Sequence, residues 1–123
     1  MIHRLFHNHL EEPIGIIVCS ILFLIVAFCY KKFPPKKINH LYGFRTRRTM
    51  ANQEIWDVAN HRAANNMWKY SIILTIVGIL ILLLDIPHPM IVFLVVLFVG
   101  LAISIWTTYK YVDSHFDKNG NKK

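Results

Sequence analysis

Charge is scarce in this sequence. Only 17% of its 123 residues are Asp, Glu, Lys or Arg, against about 25% in an average soluble domain. Acidic side chains number 7, and cysteines 2. With 54% apolar residues, a disordered chain is excluded, since disorder needs few apolar groups and many charges. Cys19 and Cys29 both lie inside one apolar run, which excludes a disulfide-stapled scaffold and reads as packing. There is no glycine-rich phosphate loop, no zinc-finger spacing and no nucleic-acid module, so direct nucleic-acid binding is not expected.

The charges that do occur are unevenly placed. Residues 13–30, PIGIIVCSILFLIVAFCY, contain none, nor do residues 70–84, and between 86 and 109 only His88 can ionise. A helix crossing a bilayer needs about 20 apolar residues, within a range of about 17–25. The runs are apolar on all sides, which a helix in a water-soluble protein is not. Lipid also excludes open sheet edges, and three segments cannot close a barrel. The expected architecture is therefore all-α and membrane-embedded. One membrane domain, residues 1–123, has spans at 13–30, 70–86 and 90–110. The first run reads as an uncleaved span, because Glu11 and Glu12 precede it and no small-x-small cleavage site follows.

Nine basic residues lie between positions 31 and 69, against Glu54 and Asp57, a net of +7; the rest of the chain sums to zero. The positive-inside rule places this segment in the cytoplasm. The N-terminus is then outside, the C-terminus inside, and residues 85–89 form an outer turn in which Asp85 caps the hairpin. Pro87 and Pro89 favour that turn because each lacks an N–H and restricts its predecessor. Spans two and three should pack as an antiparallel hairpin.

Within segment 31–69, KKFPPKK reads as a stiff basic elbow beside anionic headgroups. Residues 50–71 then show apolar positions at helical spacing (Ile55, Trp56, Ala59, Ala63, Met67) and predict an amphipathic helix. It should lie along the interface or bend into the second span. Thr49 is its expected N-cap. Arg45, Arg47 and Arg48 near a helix start form a candidate anion site for phosphate or carboxylate.

The run Tyr42-Gly43-Phe44-Arg45-Thr46, followed by Thr49, Asn52, Glu54, Trp56, Ala59, Asn60, Arg62 and Ala63, resembles the signature of the SdpI/YfhL family of small bacterial membrane proteins. Two positions depart from it: Arg47 stands where that signature usually has proline, and Ala63-Ala64 where glycine is common. The chain resembles the short, three-span form. The resemblance implies a non-enzymatic protein of the bacterial inner membrane that confers immunity to a secreted, membrane-active peptide toxin. In the long form it also implies signalling by recruitment of a transcriptional repressor. It carries functional weight onto Gly43, Arg45, Thr46, Asn52, Glu54, Trp56, Asn60 and Arg62 without supplying their roles. On physical grounds Arg45 and Glu54 are expected to bond, Trp56 to wedge its helix against the bundle, and Asn60 to satisfy a backbone or neighbouring polar group. Partners would be anionic lipid, a peptide toxin, a small repressor and a second copy of the chain. No cofactor is expected.

Other chemistry is thin. His3 and His7 share a helical face and are weak metal candidates. Asp57 and His61 are four apart, like an orienter and a base, but no nucleophile accompanies them. A second reading is an enzyme or binder of lipid-linked phosphate using Arg45, Arg47 and Arg48 with His40 or His61. A third is a small transporter subunit, for which no span carries a central charge.

Overall fold

A computed structural model describes residues 2–123, with side chains from residue 11 onward. His3 and His7 therefore lie outside the described side chains. Three helices form: α1 (Ile2–Lys32), α2 (Gln53–Leu83) and α3 (Pro89–His115). Among the described residues the only β pairing is an isolated bridge between Phe116 and Lys122. All three helices are long and apolar enough to cross a membrane, α1 through its part Glu11–Lys32. The protein is an all-α, multi-pass membrane protein.

α2 is one unbroken rod of 31 residues, about 46 Å long at 1.5 Å per residue. No separate interfacial helix precedes the second span among the described residues. Residues 53–69 contain neither proline nor glycine, and nothing interrupts the backbone ladder between the polar half and the apolar half. The rod exceeds a hydrocarbon core of ~30 Å, so its polar N-terminal part extends beyond that thickness, packed against the C-terminal end of α3.

α2 and α3 pair antiparallel. Leu74 and Ile81 of α2 are buried with Ile16 of α1 and Phe93 of α3 in one cluster, and Ile55 and Ala59 with Val112 and Phe116 in a second. Between the clusters the Tyr70 ring rests on Gly100, and Asn66 donates to Thr108 Oγ1 at 3.1 Å. The turn between the helices holds Asp85 at φ 52 and His88 at φ 51, with Pro89 opening α3 at a position where a missing N–H costs nothing. α1 lies mainly along α2 and touches α3 far less. Outward faces carry Ile14, Ile21, Ile76, Phe98 and Ile103, a continuous apolar exterior suited to lipid.

Candidate functional site

The segment between α1 and α2 folds back as an arm, residues 33–52, over one end of the bundle. α1 stops where Phe33 N donates to Cys29 O at 2.8 Å and two prolines follow. Asn39 then nucleates a turn, its Oδ1 accepting from Leu41 N and Tyr42 N, each at 2.9 Å. Tyr42 Oη returns to Phe33 O at 2.7 Å and closes the loop.

Asn60 is the centre of the arrangement, 1% exposed. Its Oδ1 accepts from Tyr30 Oη of α1 and from Phe44 N of the arm, both at 2.6 Å, while its Nδ2 donates to Trp56 O at 3.0 Å. One amide therefore joins α1, the arm and α2. Trp56 is fully buried beside it and donates Nε1–H to Pro35 O at 2.8 Å. Gly43 passes directly over this pair at φ +113; a Cβ there would sit 2.7 Å from Asn60 Oδ1 and 2.8 Å from Pro35 Cγ. Only glycine tolerates both that dihedral and that approach.

Thr46 and Thr49 lock the next turn. Thr49 Oγ1 accepts from Thr46 N at 2.8 Å and donates to Phe44 O at 2.9 Å, and Thr49 N donates to Thr46 Oγ1 at 3.1 Å. Thr49 is thus not the helix cap. That position belongs to Asn52, whose Oδ1 accepts from Ile55 N at 2.8 Å. The chain between Thr49 and Asn52 is turn and extended backbone, so the helix starts three residues later than the apolar pattern suggested. Asn-x-Glu here means a cap followed by an acid in the first turn, where a negative charge suits the helix dipole.

The C-terminal residues complete the site. Phe116 is fully buried against Ile55 and Ala59. Asn52 Nδ2 donates to Gly120 O at 3.1 Å, and Lys122 Nζ lies 3.8 Å from Glu54. Arg48 bonds the Asp113 carboxylate, Phe116 O at 2.6 Å and Asp117 O at 3.2 Å. The hydrogen bond to Asp113 raises the pKa of the Arg48 guanidinium.

The three arm arginines face different partners. Arg45 donates to the His40 carbonyl, Arg48 reaches the C-terminal tail, and Arg47 is exposed beside a surface hollow with Lys118 and Asn119. Arg45 and Glu54 do not meet: the first closes the arm's own loop, and the second faces Lys122. Arg62 stacks its guanidinium 4.7 Å from the Tyr111 ring centroid, and its Nε is buried without a hydrogen-bond partner among the described residues. Asp57 accepts from Gln53 at 2.7 Å, and His61 meets Asn65 at 3.3 Å, so these two are not an orienter and a base.

Tyr30, Pro35 and the 116–120 tail are essential to the site and were not legible as such. Tyr30 reads from sequence as an interfacial anchor, and the tail as a lysine-bearing cytoplasmic segment. The one available signal was Phe116, an apolar residue in an otherwise polar tail.

Above the Asn60 assembly, on the membrane side, the three helices leave an apolar cavity of about 630 Å³. Its walls are Ile25, Val26 and Cys29 from α1, Met67 from α2, and Leu101 and Ile105 from α3, and the arm closes its end with Phe33, Tyr42, Gly43 and Phe44.

The model of the SdpI/YfhL protein family matches residues 36–109. The uncharacterized protein YfhL of Bacillus subtilis (strain 168) is 40% identical over 60 residues, which cover 49% of this chain and 54% of that protein. The chain therefore spans about half the length of the curated relative it matches. No solved structure matches it. The matched region takes in most of the arm, the Asn52–Asn60 elements that fasten it, and the α2–α3 hairpin, and on that ground this chain belongs to the SdpI/YfhL protein family.

Proposed function

We propose that this chain is an inner-membrane protein of the SdpI type that protects a bacterial cell against a secreted, membrane-active peptide. The observation that supports it is the concentration of the family signature in one assembly at one end of a membrane bundle. Gly43, Thr46, Asn52, Trp56 and Asn60 fasten the arm to α1, α2 and the tail. None of these side chains is arranged around a nucleophile or a proton-transfer pair. A protein of this kind acts by what it binds and by how it sits in the bilayer.

The nine basic residues of 31–69 put the arm in the cytoplasm by the positive-inside rule, with the N-terminus outside and the C-terminus inside. The arm then offers Leu41, 87% exposed, and Arg47 to the cell interior. In this reading that surface would hold a small transcriptional repressor when peptide is present.

The test is survival of a sensitive strain exposed to membrane-disrupting peptides. Expression of the wild-type chain should raise tolerance, and His40→Ala and His61→Ala should leave the gain intact. Asn60→Ala should abolish it. If tolerance is unchanged against every peptide while turnover of lipid-linked phosphate changes, the chain is an enzyme or binder of that substrate instead.

A further inference from the structure

We propose that the cavity between the spans is a binding site for one anionic phospholipid, taking an acyl chain into the slot and its phosphate onto Lys32. This goes beyond the protective role proposed above and does not depend on it.

The slot's volume of about 630 Å³ falls within the ~300–1,000 Å³ of small-molecule sites. Its lining is mostly apolar, and three of its polar side chains are already engaged: Tyr30 Oη with Asn60, Tyr42 Oη with Phe33 O, and Thr108 Oγ1 with Ser104 O. Apart from the Ser104 hydroxyl and the Cys29 thiol, nothing inside is left to recognise a polar ligand. Its helical walls belong to the three helices that are long and apolar enough to cross a membrane, and it lies between α1 and α3, the least closely packed pair. The occupant is therefore an apolar chain drawn from the bilayer.

The rim decides which kind. Phe33 caps the slot, and the Lys32 ammonium lies 5.8 Å from the Phe33 ring centroid and 5.6 Å from that of Phe28. Lys31, Lys36 and Lys37 neighbour it in sequence, all exposed. An apolar slot whose capping ring lies beside the Lys32 ammonium is complementary to an amphiphile with an anionic head.

Cys29 lines the slot and is exposed, so its thiol reports occupancy. The experiment uses the full chain with Cys19→Ser, purified in detergent. It measures the rate of Cys29 alkylation by an apolar maleimide as phosphatidylglycerol or phosphatidylcholine of identical acyl chains is added, with bound lipid counted by native mass spectrometry. Phosphatidylglycerol should slow alkylation about tenfold and remain as one bound molecule, at concentrations where phosphatidylcholine does neither. Lys32→Gln, a surface change that leaves the fold alone, should raise the phosphatidylglycerol needed for half-protection about fivefold, the equivalent of about 1 kcal/mol. Ser104→Trp, which fills the slot, should remove the retained lipid from a protein with an unchanged melting transition. Equal protection by both lipids, or no change in Lys32→Gln, overturns the proposal and makes the slot an ordinary lipid-facing surface. Lipid-independent Cys29–Cys29 cross-links, or protection by a membrane-active peptide but not by phosphatidylglycerol, overturn it in favour of those occupants.

Discussion

Asn60 uses three of its hydrogen-bonding positions on three different parts of the chain. Removing it leaves Phe44 N and Tyr30 Oη without their acceptor in a closed environment, and an orphaned buried group costs about 1–3 kcal/mol. Asn60→Ala should lower unfolding stability in detergent by that amount. Tyr30→Phe removes only a donor and should cost about 1 kcal/mol, and in the double variant the two losses should not add, since both break one bond. Gly43→Ala meets a different obstacle, a positive φ and two contacts under 3 Å. It should destabilise by about 1–3 kcal/mol and, unlike Asn60→Ala, should displace Trp56, seen as a shift in its fluorescence. That Asn60 would satisfy a backbone or neighbouring polar group was expected from the sequence. Its identity was not, because Tyr30 lies 30 residues away in sequence and Phe44 lies 16 away.

At the scale of elements, the hydropathy pattern was the reliable guide to the spans and a poor guide to where α2 begins. Helical periodicity continues upstream to Met50, but the hydroxyls of Thr46 and Thr49 bond each other's backbone and hold that stretch in a turn. Asn52→Ala should therefore cost about 0.5–2 kcal/mol as loss of a cap, whereas Thr49→Ala should loosen the arm without shortening the helix; amide hydrogen exchange at residues 44–56 distinguishes the two. The α2–α3 hairpin depends on close approach at Gly100, where the Tyr70 ring occupies the space a Cβ would need. Gly100→Ala should push Tyr70 off the Val96 carbonyl to which it donates. Thermal unfolding in detergent should then show a loss of about 1–3 kcal/mol, the range for overpacking.

Across the whole molecule, the tail is held by two kinds of interaction of unequal weight. Arg48 and Asp113 form a partly exposed ion pair, with 22% and 59% of their side-chain surfaces accessible, and solvent screening leaves such a pair little weight. Phe116 is 0% exposed, and truncating a buried aromatic costs about 3–5 kcal/mol. Phe116→Ala should therefore unfold the arm-bearing end, while Arg48→Ala should chiefly raise proteolytic cleavage after Phe116 with little change in melting temperature. High salt should reproduce the Arg48→Ala effect and leave that of Phe116→Ala unaltered.

By itself the sequence determined the phase in which this protein lives and the number of its spans. Three long uncharged runs have no stable place in water, and a charge within any of them would be costly in lipid, so composition alone decides. The signature residues were equally visible as a set. What only the tertiary structure decided is what they hold together: the bonds that build the site join residues as far apart as Arg48 and Phe116, 68 positions in sequence. No local propensity encodes such pairings. They exist because packing three rods side by side brings the arm, the start of α2 and the tail to the same end of the bundle, where backbone groups left outside any helix must find partners.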